Sequence, residues 1–463
     1  MYKSEQLALS LKHLIESATW QPHQKLPSLR QQVEQSGFSL MTVLNAYQEL
    51  EAQGLIYSRE KSGYFVADHR AYLPKNSVIR NDKIAINSVV FQYLKSVQAE
   101  GVLPLGSAFP DSQLLYSAKL MQTLGQRAKQ RRSYEQMPSL PPGHYELRKL
   151  IAQRYCMQGI PTDPSDIVIT SGGLDALNLS LQAVTQAGDY ILLQETVFYG
   201  AWQTAERLGL TVITIPEHPV HGLDLIALQQ ALNDYPIKVC LLMLNSHNPI
   251  GFTVSDAIKI QLAEILHQHE VYLIEDDVYE ELYYGQKKPL ALKSLDEKNL
   301  VLHCSSFSKT LGAGFRVGWV YAGKFSEHIQ HLQLMSTLSV NPLIQSALVE
   351  YLSHRHYEKH LKSVRKALKR LKKQYYDYLN ERLVQHCQVM NYPSGYFLWI
   401  ELPAHLDSNL LYQKLLNHKI SVAPGSLFNA TQQNKNAIRI NCSFEFTPGI
   451  TQALDILIAH IQE

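Results

Sequence analysis

The chain has 463 residues and a formal net charge of +2 at pH 7, and its length suggests two or three domains. Hydrophobic residues make up 45% and charged residues 18%, which excludes a generally disordered chain. The five cysteines lie far apart without a CxxC pair, which argues against a disulfide framework or a structural zinc site and fits a reducing cytoplasm. No apolar run approaches the roughly 18 residues of a membrane helix, so we expect a cytoplasmic protein.

The first part of the chain shows short helical segments with clear boundaries. Apolar residues at helical spacing predict a first helix, namely Leu7, Leu11, Leu14 and Ile15. Ser28 followed three residues later by Gln31 is a capping-box start, and Gly37 is a typical helix stop. We therefore predict a second helix over residues 28–36.

A third helix and a hairpin complete this part. Ser39 can cap a helix that ends at Gly54 and has an apolar inward face. The inward residues are Val43, Leu44, Tyr47 and Leu50. The strand-like runs LIYSR and YFVA follow, separated by EKSG. Three small helices and a two-stranded wing predict a winged helix-turn-helix over residues 1–67.

A polar stretch separates this part from the larger remainder. Residues 68–84 contain a proline and no clear period, and we expect a linker there. From residue 85, apolar runs alternate with segments of helical composition such as residues 255–270. The runs are DIVIT (166–170), YILLQ (190–194), VCLLML (239–244), VYLIE (271–275) and NLVLHC (299–304). This alternation predicts an α/β fold with a parallel sheet covered on both faces.

The last part of the chain has a different pattern. It begins with helical segments at about residue 340 and ends with short strands such as YFLWIEL (396–402) and AIRIN (437–441). We therefore predict a smaller α+β lobe at the C-terminal end.

Polar and aromatic residues follow each of the five predicted strands. They are Ser171-Gly172-Gly173-Leu174, Tyr199, Asn248, Asp276, and Ser306 with Lys309. Ligands of open α/β sheets bind beyond the carboxyl ends of the strands, so we expect these residues at one edge. Alone, each has an ordinary explanation as a turn, a packing aromatic, a helix cap or a surface lysine.

Together these residues meet the needs of a carbonyl cofactor that carries a phosphate and a pyridine ring. Lys309 offers an amine that can form a Schiff base. A helix start at Gly172 and the cation of Arg316 suit a phosphate. The carboxylate of Asp276 suits a pyridine nitrogen, and Tyr199 suits the face of the ring.

Residues from about 85 to 463 resemble the fold-type I, class I/II aminotransferases, which use pyridoxal 5'-phosphate (PLP). The stretch SFSKTLGAGFRVG, from Ser306 to Gly318, is similar to their cofactor-lysine signature, with lysine, arginine and glycine at the expected offsets. The resemblance implies the PLP-dependent aminotransferase fold type I, with a large parallel-sheet α/β domain and a smaller C-terminal α+β lobe.

The same resemblance implies roles for individual residues. It makes Lys309 the Schiff-base lysine and places Asp276 at the pyridine nitrogen, and these two with Tyr279 form the implied catalytic set. It also implies that Asn248 and Tyr279 hydrogen-bond to the ring hydroxyl and that Tyr199 stacks on the ring. It assigns Arg439 to the substrate α-carboxylate, with Asn248 beside it. The implied cofactor-binding residues are Gly172, Gly173, Leu174, Tyr199, Asn248, Asp276, Tyr279, Ser306, Ser308, Lys309 and Arg316. No metal is implied.

Two departures from the aminotransferase pattern stand out. Val197 occupies the place of the usual proline before the stacking aromatic, which affects the loop. The phosphate-contacting tyrosine that the family takes from the partner subunit has no secure match, and Tyr134 is the nearest candidate.

The N-terminal part resembles the DNA-binding domain of GntR-type bacterial regulators. The matching segments are Leu26–Arg30, Ser39–Val43, Ala46–Leu50, Gly54 and the wing Ser62–Val66. In this order, the two parts resemble the MocR subfamily, which joins such a head to an aminotransferase-like body. The implied DNA-binding residues are Arg30, Ser39, Thr42, Asn45, Arg59, Lys61 and Gly63.

The surface that would read DNA departs from the GntR pattern. Leu40 and Met41 stand where GntR proteins often carry an arginine before the third helix's Thr42 and Val43. Residues 1–67 are also not strongly basic, so a winged helix used only for protein contacts remains an alternative.

Three functions are compatible with this organisation. The first is a homodimeric regulator that binds a double-stranded DNA operator and senses PLP or an amino acid at Lys309. The second is a working aminotransferase that moves an amino group between an amino acid and a 2-oxo acid. The third is an inactive fold that serves only for dimerisation. We favour the first, because a metabolic enzyme needs neither the head nor the linker.

Overall fold

The computed structural model describes residues 3–16, 20, 24–52, 55–59, 63–66, 77–79, 86–130, 139–383, 387–429 and 436–462. The chain forms two compact units. The head consists of Met1–Lys75 with His218–Asp224, and the body consists of Asn76–Glu217 with Leu225–Glu463. Of the three points at which the chain passes between the units, the one between Lys75 and Asn76 lies within residues 68–84.

The described helices and strands follow the predicted order with additional elements. The helices are α1 (Lys3–Glu16), α2 (Leu29–Ser36), α3 (Leu40–Ala52), α4 (Ile86–Val97), α5 (Ala118–Lys129), α6 (Tyr145–Met157), α7 (Gly173–Val184), α8 (Tyr199–Arg207), α9 (Leu225–Asp234), α10 (Asp256–His269), α11 (Ser326–Ser336), α12 (Pro342–Ser353), α13 (His356–Leu383), α14 (Ser408–Asn417) and α15 (Pro448–Gln462). The strands are β1 (Ile56–Arg59), β2 (Gly63–Val66), β3 (Ser77–Ile79), β4 (Ile167–Thr170), β5 (Tyr190–Gln194), β6 (Thr211–Ile215), β7 (Ile237–Leu242), β8 (Tyr272–Asp276), β9 (Val301–Ser306), β10 (Gly318–Tyr321), β11 (Gln388–Met390), β12 (Phe397–Glu401), β13 (Ala423–Pro424) and β14 (Ala437–Asn441).

The head begins its second helix with the predicted capping box. The Ser28 hydroxyl accepts from the Gln31 amide at 3.3 Å, and the Gln31 side-chain oxygen accepts from the Ser28 amide at 2.9 Å. Gly37 ends α2 in the left-handed region at φ 70°, a conformation that favours glycine. Both predicted ends of this helix are therefore confirmed.

The predicted start of the third helix and the pairing of the wing are also confirmed, whereas the predicted stop at Gly54 lies outside the described residues. The Ser39 hydroxyl caps α3 by accepting from the Thr42 amide at 3.2 Å. Strands β1 and β2 pair antiparallel, with Ile56 opposite Val66. The apolar faces of α1, α3 and the wing enclose one core, whose buried residues include Leu11, Val43, Ala46, Tyr47, Leu50 and Ile56. The winged helix-turn-helix is thus held by its own hydrophobic core.

The body is built on an eight-stranded sheet in the order β3-β6-β5-β7-β8-β9-β10-β4. Strands β6, β5, β7, β8 and β9 run parallel. Strand β4 points the same way, because it and β9 both pair antiparallel with β10. The five predicted strands therefore share one direction, as expected. Their near-continuous burial explains why they are apolar throughout.

The sheet is mixed rather than wholly parallel, which corrects the sequence prediction. Strand β10 directly follows the lysine signature and runs against its neighbours. Strand β3 lies inside the predicted linker and pairs antiparallel with β6. A three-residue edge strand is too short to show a period, and pairing with β6 stabilises it, so its sequence carried no signal.

The C-terminal lobe contains the predicted α+β arrangement. A four-stranded antiparallel sheet in the order β11-β12-β14-β13 packs with α13, α14 and α15 around an apolar core. The predicted strands YFLWIEL and AIRIN correspond to β12 and β14. Among the described residues, no helix is both long and apolar enough to cross a membrane.

Candidate functional site

The carboxyl ends of the body strands bring the predicted site residues to one edge of the sheet. Thr170 at the end of β4 and Ser306 at the end of β9 both pair with Gly318. Asp276 at the end of β8 pairs with Cys304 on β9. After these residues the backbone leaves the sheet. The polar segments that follow therefore lie beyond the carboxyl ends of the strands, where open α/β sheets bind their ligands.

Lys309 lies in a 3₁₀ turn directly after β9 and presents its amine to the site. Its Nζ donates to the Ala108 carbonyl at 2.8 Å and lies 4.7 Å from the centre of the Phe109 ring. Burial, and then repulsion from Arg439, lower the pKa of Lys309 to about 7. A substantial fraction of this amine is therefore neutral, and hence nucleophilic, near pH 7.

Asp276 offers an open carboxylate oxygen in a buried position. The residue is 3% exposed, and its Oδ1 has no hydrogen-bond partner within the described residues. Burial raises the pKa of this carboxyl to about 7, more than the Val278 amide lowers it. A buried acceptor without a donor costs free energy, so this oxygen suits the protonated nitrogen of a pyridine ring.

The start of α7 forms an anion site together with Arg316. No side chain caps this helix, and its N-cap residue Gly172 has φ +98°. A Cβ on Gly172 would lie 2.7 Å from Nη2 of Arg316, and one on Gly173 would lie 2.7 Å from Cγ1 of Val278. Glycine at 172 therefore lets the guanidinium lie against the helix start, and glycine at 173 makes room for Val278. Uncapped amides and a planar cation suit a phosphate.

Two serines and the backbone of Leu174 complete the set of predicted phosphate residues. The hydroxyl of Ser308 is buried and lacks a hydrogen-bond partner among the described residues. The hydroxyl of Ser306 lies 3.6 Å from the position that a Cβ on Gly173 would take. Arg316 also donates to the Ser171 carbonyl at 2.8 Å, which fixes its guanidinium. Leu174 contributes the next backbone amide of α7.

Arg439, at the centre of β14, is a fully buried cation. Its Nη1 donates to Oδ1 of Asn248 and its Nη2 to the Gly106 carbonyl, both at 2.6 Å. Its Nε is buried without a hydrogen-bond partner among the described residues, and its guanidinium carbon lies 4.3 Å from the centre of the Phe397 ring. A buried cation held by neutral acceptors and an aromatic face is suited to a carboxylate ligand.

The two tyrosines of the site are buried in aromatic surroundings. The ring centre of Tyr279 lies 5.3 Å from Nζ of Lys309. Burial raises the pKa of the Tyr279 phenol. Tyr199 begins α8, with its ring centre 4.5 Å from that of Phe198. The stacking of Tyr199 and the ring-hydroxyl bonds of Asn248 and Tyr279 stay predictions.

The sequence did not identify the loop that faces Lys309. The Ala108 carbonyl accepts from both Lys309 and the hydroxyl of Tyr396, the latter at 2.8 Å. Gly106 supplies the carbonyl that holds Arg439. Every residue has a backbone carbonyl, so the amino-acid sequence does not indicate which carbonyls face the site. Tyr396 was visible only as part of a predicted strand.

A buried polar network lies directly behind Asp276. The two ring nitrogens of His303 bond to Oδ2 of Asp277 at 3.2 Å and to the Tyr155 hydroxyl at 2.7 Å. The carboxylate of Glu275 lies within 4.8 Å of ligand atoms of Asp277 and His303. It accepts hydrogen bonds from the backbone amides of Leu292 and Lys293. These groups already bond to protein partners, so we interpret them as support for the end of β8.

The head places several predicted DNA-binding residues at its surface. Arg30, Ser39, Asn45 and Gly63 are exposed. Thr42 is half-buried, and its hydroxyl bonds to that of Ser39 at 2.9 Å. Arg59 ends β1, but its side chain, like all of Lys61 and Tyr134, lies outside the described residues.

Comparisons with known proteins agree with this division of the chain. The family "Aminotransferase class I and II" matches residues 102–454, and "Bacterial regulatory proteins, gntR family" matches residues 3–66. The chain is 46% identical to the uncharacterized HTH-type transcriptional regulator YdcR of Escherichia coli K12, over 100% of both chains. It is 32% identical to YjiR of the same strain, over 98% of this chain and 97% of that one.

Solved aminotransferase structures share the fold of the body. An archaeal alanine:glyoxylate aminotransferase superposes with a TM-score of 0.76 at 24% identity, over 82% of this chain and 95% of that one. The α-aminoadipate aminotransferase LysN of Thermus thermophilus, complexed with N-(5'-phosphopyridoxyl)-L-leucine, superposes with a TM-score of 0.73 at 23% identity. The match covers 81% of this chain and 98% of that one. At this identity the likeness shows the fold alone.

Proposed function

Because the chain belongs to the HTH-type transcriptional regulators that join a gntR-type head to a class I and II aminotransferase domain, we propose that its body binds PLP and senses an amino acid. Within these regulators we place it in the MocR subfamily. The observation that carries the proposal is the convergence of Lys309, the open Oδ1 of Asp276 and the buried guanidinium of Arg439 in one site.

The residues of the site fit PLP by their chemistry. When bound, the cofactor supplies a carbonyl carbon that bonds covalently to an amine and a ring that draws electrons from that bond. Lys309 provides the amine, and Oδ1 of Asp276 accepts a hydrogen bond from the ring nitrogen. The start of α7, with Arg316, Ser306 and Ser308, binds the phosphate. Asn248 and Tyr279 bond to the ring hydroxyl, and Tyr199 covers the ring face.

The amino-acid ligand is recognised by charge. Arg439 binds the α-carboxylate through its guanidinium, replacing part of its bonding to Asn248 and the Gly106 carbonyl. Binding of the amino acid in the body changes the DNA affinity of the head, and by linkage DNA changes the affinity for the amino acid. We further propose a homodimer on paired DNA half-sites and a cytoplasmic location, which the five unpaired cysteines support.

The proposal is tested on the full-length protein loaded with PLP. Borohydride reduction followed by peptide mass spectrometry should place the cofactor on Lys309. Selection from a random duplex pool should enrich one DNA sequence, and fluorescence anisotropy should then show that an amino acid from a panel of twenty changes the affinity for it. The proposal would be contradicted if the cofactor still dissociates after reduction. It would also be contradicted if none of the amino acids changes the affinity for DNA.

A working aminotransferase is the second candidate, favoured by the lowered pKa of Lys309. An amine with a pKa of about 7 can take and return a proton at neutral pH, as transfer between a substrate carbon and the cofactor requires. Visible absorbance during an amino-acid titration without a 2-oxo acid separates the two functions. Conversion of the cofactor to its amine form indicates an enzyme, whereas a covalent amino-acid complex that persists indicates a sensor.

A further inference from the structure

The outward face of α3 carries a stripe of exposed residues whose chemistry differs along its length. Met41, Asn45 and Gln48 are exposed and lie at helical spacing, so they share one face. Leu40 and Met41, at the beginning of the helix, are 53% and 64% exposed. An apolar end is thus followed by two carboxamides.

This face belongs to the second helix of the helix-turn-helix. In such motifs the N-terminal residues of the second helix contact base edges in the major groove. The hydroxyls of Ser39 and Thr42 bond to each other, and that of Ser39 also caps the helix. The first turn therefore exposes the apolar side chains of Leu40 and Met41, while its two hydroxyls are bonded to each other.

The helix also lacks the residues that read guanine. Its sequence, LMTVLNAYQELEA, contains no lysine or arginine. Arginine or lysine to guanine is the commonest specific contact, whereas apolar side chains contact the thymine methyl group and asparagine or glutamine pairs with adenine. The chemistry of this face thus matches A·T pairs.

We propose that α3 reads an A·T half-site, in which Leu40 and Met41 contact thymine C5-methyl groups and Asn45 and Gln48 bond to adenine. DNA rather than a protein is the occupant, because exposed Arg30 on α2 and exposed Lys25 beside the wing supply positive charge on the same unit. The inference rests on the DNA-binding part of the proposed function and names the bases that it selects.

Removal of the methyl groups tests this contact directly. The full-length protein is first used to select its site from a random duplex pool. Anisotropy then measures binding to that duplex and to a copy in which deoxyuridine replaces thymidine in the half-sites. We expect the wild type to lose about fourfold in affinity for each contacted methyl group. We also expect 7-deazaadenine, which lacks the N7 acceptor, to weaken binding.

Matched variants separate this contact from general loss of DNA binding. In Leu40→Ala and Met41→Ala, the preference for thymine over uracil should shrink towards one. Leu9→Ala is the control, because Leu9 is 54% exposed on α1 and should keep the full preference. Equal affinity of the wild type for both duplexes, or a selected half-site of G·C pairs, overturns the inference while leaving salt-dependent DNA binding intact. Absence of DNA binding altogether overturns the inference and the DNA-binding function together.

Discussion

The body and the head of this protein build their binding surfaces in opposite ways. In the body, Lys309, Asp276 and Arg439 come from three distant strands or turns. Bonds to the carbonyls of Ala108 and Gly106 and to the side chain of Asn248 hold Lys309 and Arg439. In the head, the DNA-facing candidates come from α2, α3 and the wing, and four of them, Arg30, Ser39, Asn45 and Gly63, are exposed. Ligand binding in a buried site depends on each of its residues, whereas the DNA affinity of an exposed surface is the sum of many small contributions. Substitutions should therefore act steeply in the body and gradually in the head.

Loss of the lysine amine should have the largest effect. In Lys309→Ala no amine remains to bond to the cofactor carbonyl, so the covalent link should be absent rather than weakened. Borohydride reduction followed by mass spectrometry measures this. Lys298→Ala, at an exposed lysine of the same unit, should keep the reduced adduct. A reducible adduct that survives in Lys309→Ala would contradict the assignment.

Removal of the buried guanidinium should have the next largest effect. In Arg439→Gln the α-carboxylate loses its cation, so the amino-acid concentration that half-saturates the protein should rise on the order of 100-fold. Absorbance titration of the PLP-loaded protein measures this. The cofactor link should persist, which shows that the site is still folded. Arg370→Gln, at an exposed arginine paired with Glu445, should behave as the wild type, and equal affinities in both variants would refute the role of Arg439.

The lowered pKa of Lys309 predicts an unusual pH profile. With a pKa of about 7, half of the amine is neutral at pH 7 and nearly all of it at pH 9. The rate at which the cofactor-free protein bonds to PLP should therefore rise about twofold between these pH values, against about a hundredfold for an ordinary lysine. Stopped-flow absorbance gives the profile. A rise of about a hundredfold between these pH values would mean that burial and Arg439 do not depress this pKa.

A surface arginine of the head should have the smallest effect. Arg30→Ala removes one expected phosphate contact, so affinity should fall several-fold for all duplexes, and the salt slope should fall by about one. Anisotropy at several salt concentrations measures both quantities. Lys3→Ala, at an exposed lysine on α1, is the control and should leave the slope unchanged. An unchanged slope in Arg30→Ala would remove Arg30 from the DNA surface.

Local signals and neighbouring partners explain which parts of the structure were predictable. The capping box at Ser28 and the stop at Gly37 are written in adjacent residues, and both ends of α2 were predicted correctly. The buried strands were visible as apolar runs for the same reason. Strand β3 was not, because three residues beside β6 show no period. The carbonyl of Ala108 was also invisible, since its position depends on the tertiary fold and not on its side chain.

The central claim, that an amino acid held in the body controls the head, has one direct test. Anisotropy on the selected duplex is measured with the PLP-loaded wild type and Arg439→Gln while the effective amino acid is added. The account predicts that DNA affinity changes in the wild type over the concentrations that change the cofactor absorbance, and that both curves shift together in the variant. A cofactor absorbance that responds while DNA affinity stays constant would contradict it.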